Sequence, residues 1–570
     1  MLRICLTLIV SYSFISFVLA SEEIDNRFYS KWFTSLNTPW VRLILSSDTG
    51  FPRSIAVKRN EKGHCFLNVP YQTGNNEVDK IAYSIRYKSN NATMRLVFSV
   101  LTNNGDMLKV FEHKSDIHSN DNGLMSDVFH LSNPNSAFLH TEIFVDPIND
   151  KDGSFVSFDR FYITVNDTCI AKRGDFIPQS PNLSPESLVD LSRISYRELP
   201  IMNTRILGVG ETFHGTEDLN RLAFDIMRER VRYKNNRLLL AELPMSLSLQ
   251  IDAYINQQIE CSKSELRSLF EDYLISDSIV EFIEWLRDYN MTQSRKIHFL
   301  GFDVSSDPGK TTRYLMNYLS KRGVLFNDSM KQELSDLQKE KQWNKLFDVL
   351  KTDQKIQMQM SDSDYQLFRY ALDEYIYNQE SSQSALMKAR ESYMYRSTSR
   401  LLDLLLDKKE ERCTIFAHVI HLWYGGMLFC DLTNNFTSTG GKLKQVYLSD
   451  YACIALSAVS GSFYHSYNKS IDKMEELPET SIEYQIGCLG EKPYYIPLSK
   501  EYLNNLMQFR LSGLIVGRSQ FGINFLKRYA DGMIVIPKVE FVKKTETKII
   551  HNNDSLERSN SFMELIKTLN

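Results

Sequence analysis

The chain has 570 residues, 43% of them hydrophobic and 24% charged, an ordinary make-up for a globular protein but too long for one core. Two or more domains are therefore expected. A net charge of −4 offers no basic surface for a nucleic-acid partner.

Residues 1–20 combine an early Arg3, an apolar centre and Val18-Leu-Ala20 at the end. This is the pattern of a secretory signal peptide cut after Ala20, with an uncleaved membrane anchor as the alternative. No Cys stands at the cut, so a lipoprotein is not indicated. No later stretch approaches the roughly 18 apolar residues of a membrane span. The mature chain is expected to have no transmembrane segment and to be periplasmic or secreted. Beyond Cys5 of the leader, Cys65, Cys169, Cys261, Cys413, Cys430, Cys453 and Cys488 show no C-x-x-C spacing, so neither a disulfide framework nor a zinc ribbon is indicated. Asn91, Asn166, Asn290 and Asn435 lie in Asn-x-Thr sites, which matter only in a eukaryotic secretory route.

Residues 21–170 read as a jelly-roll-like β-sandwich domain. Lys80–Tyr87, Met94–Leu101, Phe138–Val145 and Phe158–Val165 have strand character, and Asn- and Gly-rich turns separate them. Such a module serves for binding or spacing, and glycan is its expected partner by analogy of fold alone. Pro178, Pro181 and Pro185 mark 171–200 as a linker with a lead-in helix.

From 201 to 540 short apolar runs alternate with helical periodicity, which predicts an α/β domain built on a parallel sheet. Ile206–Val209, Leu238–Ala241, Lys296–Val304 and Cys413–Ala417 are its expected strands, with Gln445–Leu448, Leu514–Val516 and Met533–Ile536 completing the sheet or its edge. Helices are expected over Leu247–Gln258, Lys263–Tyr273, Ile279–Tyr289 and through most of 310–408, followed beyond 540 by a polar tail to 570. Open α/β sheets place ligands at the carboxyl ends of their strands. At the first of these ends stands Gly210-Glu-Thr-Phe-His-Gly215.

Five landmarks in order resemble the erythromycin esterase family over about 200–537. Gly210–Gly215 is similar to its Gly-Glu-x-x-His-Gly signature, and Leu239-Leu-Ala-Glu242 to its second strand. Gly301-Phe-Asp-Val304 matches its Gly-Phe-Asp segment. Ala389–Met394 resembles its Arg-Asp-x-x-Met helix, with Glu391 in place of the Asp. Phe416-Ala-His-Val-Ile-His421 resembles its Trp-Ala-His-Asn-x-His strand end, departing at Phe416 and, more consequentially, at Val419, where the family has Asn.

The resemblance implies a hydrolase that opens a small-molecule carboxylic ester or lactone by direct attack of water, and the leader implies that it is exported. His214 then maps to the water-activating base, with Glu211 or Glu242 fixing its tautomer. His418 would polarise the carbonyl or return the proton. Arg221, seven residues beyond His214 and so on the same helical face, is expected to hold a carboxylate or the developing charge, and Asp303, Arg390 and His421 are the other expected substrate contacts. No Gly-x-Ser-x-Gly elbow is present, which argues against serine-esterase machinery. No cofactor is expected. A divalent metal is the alternative, because His214, His418, His421, Glu211 and Glu242 are all acceptable ligands, although His418-x-x-His421 lacks zinc-protease spacing. Two other functions stay open: a catalytically altered carbohydrate- or surface-binding protein, and a metal-dependent hydrolase of amide bonds.

Overall fold

A computed structural model describes short strands between residues 32 and 72 and most of residues 77–542. Outside the description lie 1–31, 171–182, 375–382, 425–437, 511–520, 543–570 and several shorter stretches. The leader at 1–20, nearly all of the tail, much of the linker and the expected strand Leu514–Val516 are thus outside the described residues.

The chain divides into two compact units, 1–177 and 178–570. The first contains two antiparallel sheets. One runs in the order 32–34, 63–67, 136–147, 92–102, 107–114, and the other in the order 41–45, 52–57, 154–165, 80–90, 122–130. Ile143, Leu96 and Phe98 of one sheet form a single apolar cluster with Ile81, Ile85 and Ile163 of the other, so the unit is a β-sandwich. Each of the four expected strands lies within one of these. Strands 107–114 and 122–130 gave no clear signal because they are edges. Little of the first is buried, so its apolar residues do not alternate cleanly.

The second unit is an α/β domain whose central strands are parallel. Its elements near the sheet's carboxyl edge are β1 (Ile206–Glu211), α1 (Glu217–Tyr233), β2 (Asn236–Pro244), α2 (Met245–Ile255), β3 (His298–Asp303), α3 (Gln383–Leu405), β4 (Arg412–His418), α4 (Val419–Leu422), α5 (Thr439–Tyr447) and β5 (Tyr451–His465). Across the sheet the parallel order is β5-β1-β4-β2-β3. Strand Gly532–Val539 pairs in parallel with β5 and so takes in the expected Met533–Ile536. Helices cover both faces of such a sheet, which is why β1 is buried at every position and reads as an uninterrupted apolar run until Glu211.

Helix α1 begins with Glu217 and Asp218 at its positive end and finishes with Arg230 and Arg232 at its negative end. It stops where Asn235 takes a left-handed φ of 51°.

Two expectations change. Gln445–Leu448 is not a strand: residues to Tyr447 close α5 and Leu448–Asp450 form a 3-10 turn. Its apolar Val446 and Leu448 face solvent, and the sheet resumes at Tyr451. The described lead-in residues form a two-residue strand, 189–190, and 3-10 turns at 196–198 and 200–203 in place of an α-helix. Among the described residues no helix is long and apolar enough to cross a membrane.

Candidate active site

Four neighbouring strands deliver four polar residues at one edge. Glu211 ends β1 and is the lateral partner of His418 at the end of β4. Glu242 stands near the end of β2 and Asp303 at the end of β3. A register irregularity lies between Ala241 and Pro244, the kind of bulge that re-aims a side chain beside a site. Gly301 of β3 lies against it. A Cβ there would sit 2.2 Å from the Leu243 carbonyl oxygen and 2.7 Å from that of Pro244, so no side chain fits where β3 meets the bend.

Glu242 is the hub. Its Oε1 accepts from Arg390 Nη2 at 2.7 Å and lies 3.2 Å from His421 Nε2, while its Oε2 accepts the His418 backbone N–H at 2.8 Å. Burial alone would push this carboxyl up, but His421, His214 and Arg390 overcome it and hold the group well below the usual carboxylate range. Arg390, from α3, also grips Asp303 in a two-point contact, Nε to Oδ1 at 2.8 Å and Nη2 to Oδ2 at 2.6 Å. His421 is clamped from the other side, its Nδ1 against Glu391 Oε1. Although burial opposes its charge, Glu391 and Glu242 raise the imidazole to about 10. At neutral pH His421 is a fixed cation with both nitrogens committed to carboxylates. Glu391 in turn accepts from the Thr439 backbone N–H at 2.6 Å and from its hydroxyl at 2.8 Å, tying α5 to the cluster.

His214 is arranged differently. Its Nδ1 lies 2.6 Å from Glu211 Oε1, and the other carboxylate oxygen accepts from Asn220 Nδ2 at 2.8 Å. Among the described residues Nε2 has no protein partner, and the side chain keeps 19% of its surface exposed. Burial opposes the imidazolium, yet Glu211 and Glu242 outweigh it and raise the group above its ordinary value. Burial raises the Glu211 carboxyl as well.

His418 does not have the place expected for a group that polarises a carbonyl or returns a proton. Its ring lies 4.8 Å from that of His214, but Nε2 donates to the Thr212 carbonyl at 3.1 Å and Nδ1 accepts the Ile420 backbone N–H at 3.3 Å, capping α4. Burial and the His214 charge hold it well below its ordinary value, so it is a neutral ring spent on backbone. Arg221 is not part of the cluster either. It lies on the solvent side of α1, its side chain 60% exposed, and pairs with Glu217 at 2.7 Å one turn earlier. His214 precedes the helix, so a seven-residue spacing does not put both on one face.

A model of the erythromycin esterase family matches residues 235–539, just over half of the chain. The chain belongs to the erythromycin esterase family. Among solved structures it is similar to a succinoglycan biosynthesis protein at 18% identity and a TM-score of 0.48, covering 64% of this chain and 94% of that one. It is also similar to a mutant of the erythromycin esterase EreC in its open conformation, at 15% identity and a TM-score of 0.41, covering 65% and 99%. A xylan-binding domain from Paenibacillus barcinonensis matches at 10% identity and a TM-score of 0.17, covering 25% and 89%. No curated protein sequence matches the chain.

Membership of the erythromycin esterase family supports a hydrolase acting on a small molecule. In this family member Glu211, His214, Glu242, Asp303, Arg390, His418 and His421 form one contiguous network, and Arg221 stands outside it. Sequence reasoning did not anticipate Asn220, Glu391 or Thr439 as parts of that network. Glu391 carried a signal, since it replaces the family's Asp beside Arg390, whereas nothing in α1 marked Asn220. Among the described residues no group of three or more His, Cys, Asp or Glu side chains is arranged to hold a metal ion.

Proposed function

We propose that the protein hydrolyses a carboxylic ester or lactone, with His214 as the general base that activates water. One observation carries this: Nδ1 is committed to Glu211 while Nε2, on the same ring, is left without a partner among the described residues. A carboxylate on one nitrogen fixes the tautomer, leaving a lone pair on the other to take a proton. Every other ring nitrogen of the cluster is already occupied.

The step balances without a further reagent. Water oxygen bonds to the carbonyl carbon as its proton passes to Nε2, and the carbonyl oxygen becomes an oxyanion. Arg390 Nη1, without a partner among the described residues on a side chain 23% exposed, supplies N–H donors for that charge. The tetrahedral intermediate then expels the alkoxide, which takes the proton back from His214. Acid and alcohol leave, and the base is regenerated. Glu242 and His421 act through their field, with no proton exchanged.

The test is His214→Gln, assayed on p-nitrophenyl acetate and on a panel of macrocyclic lactones. A loss of kcat of at least 100-fold, with an unchanged melting temperature, is expected from removing a general base (typically ~10²–10⁴-fold). Undiminished turnover by the folded variant refutes the assignment.

A further inference from the structure

Asn220 lies in the first turn of α1 and is fully buried, a costly place for a primary amide unless both ends are satisfied. Both are. Its Oδ1 accepts the Ser276 backbone N–H at 2.8 Å, and its Nδ2 donates to Glu211 Oε2 at 2.8 Å. Because a backbone N–H can only donate, the first contact fixes which end of the amide is oxygen and forces the NH₂ toward Glu211.

We propose that Asn220 is a positioning residue for the hydrolytic base: it holds Glu211 as an acceptor-only carboxylate and thereby keeps the His214 proton on Nδ1, with Nε2 open. The proposal rests on the assignment of His214 as the base. With an N–H donor on Oε2, Glu211 has only Oε1 facing His214, and that oxygen accepts the Nδ1 proton. Without the donor, the Glu211 charge is left to the His214 contact alone in a dry setting, which favours the imidazolium over the neutral ring. Nε2 would then keep a proton up to a higher pH, closing the lone pair needed for water.

Other charges facing His214 come from different elements: Glu242 from β2, Arg390 from α3 through Glu242, and His421 from α4. His418 packs its neutral ring alongside from β4. None of these hydrogen-bonds to Asn220, so its contribution is separable from theirs. A charge-assisted hydrogen bond in a buried site corresponds to about one pH unit or more in the proton affinity of the group it serves.

The experiment uses the full chain and no substrate. Diethyl pyrocarbonate acylates the unprotonated, accessible nitrogen of an imidazole, so its rate at the His214 peptide, followed by mass spectrometry from about pH 5 to about pH 9, reports when Nε2 is open. In Asn220→Leu the midpoint should rise by about one pH unit, a tenfold slower reaction below the midpoint. Asn220→Asp retains an acceptor for Ser276 but sets a second carboxylate against Glu211, so it should raise the midpoint further. If the Leu variant fails to fold, the Asp variant decides alone. A midpoint within about 0.3 unit of the wild type in the folded variants overturns the proposal. The two assignments fail separately. Undiminished ester turnover in His214→Gln removes the base but leaves the Asn220 shift measurable, whereas an unmoved midpoint with a dead His214→Gln removes Asn220 alone.

Discussion

Glu242→Gln is the perturbation that tests the hub most directly. The substitution keeps the shape but removes the charge on which Arg390 Nη2, His421 Nε2 and the His418 N–H converge. One of the new amide's ends must then face a donor with a donor. Breaking a buried charge pair from one side costs about 3–5 kcal/mol. Unfolding entropy near 2.1 cal/mol/K per residue makes a unit of this size lose roughly 4–6 °C of Tm for that sum.

The sign of the pH dependence follows from the direction of the Glu242 shift. Its folded pKa is depressed, so its stabilisation is present above the unfolded carboxylate value and disappears as pH falls through the folded one. The variant lacks that component, and the gap in Tm between the two proteins should narrow in acid. Because Glu242 also helps raise His214, the acid limb of kcat/KM on p-nitrophenyl acetate should move to lower pH in the variant. Thermal melts at neutral and acid pH, with pH–rate profiles, check both. An unchanged Tm at neutral pH, or an acid limb that moves upward, refutes the hub as drawn.

Gly301→Ala forces a methyl group against the Leu243 and Pro244 carbonyls, so β2 must shift at the bend that aims Glu242. A loss of about 2 kcal/mol or more of stability is expected with a fall in ester turnover, read by melts and initial rates. Arg221→Ala removes an exposed pair on α1 of a kind worth about 0.3–0.5 kcal/mol and should leave kcat/KM within about twofold. Exhaustive dialysis against a chelator should leave the rate on p-nitrophenyl acetate unchanged. A loss restored by a divalent ion would replace the His214 base by a metal-bound hydroxide.

The parallel strands were legible because burial on both faces leaves unbroken apolar runs, and the polar residues terminating those runs are the ones the sheet gathers. Gln445–Leu448 shows the limit of that signal, since four residues of mixed character fit the exposed end of α5 as well as a strand. Roles were less legible than positions. His214 and His418 both stand at strand ends in a chain read residue by residue. Only the three-dimensional partners distinguish a ring with one open nitrogen from a ring spent on the Thr212 carbonyl and the Ile420 N–H. Asn220 was invisible for a related reason: an amide early in an amphipathic helix looks like a surface residue until its two partners are seen.

Val419 bears on whether the departure from the family's Asn disables the site. Its side chain is fully buried and packs on the end of β1: a Cβ added at Gly210 would lie 2.8 Å from Val419 Cγ2 and 2.9 Å from its Cβ. Glycine at 210 and valine at 419 are therefore two halves of one close apolar contact, and that contact seats α4 against the strand that ends in Glu211. The backbone that Val419 fixes is the one whose neighbours do the polar work, because His418 N–H reaches Glu242 and His421 two residues on reaches both Glu242 and Glu391. Dispersion and burial hold this contact in place, and neither the Glu211–His214 pair nor the Arg390 grip on Asp303 passes through position 419. With valine at 419 the Glu211–His214 pair and the Glu242–Arg390–Asp303 charges stay assembled.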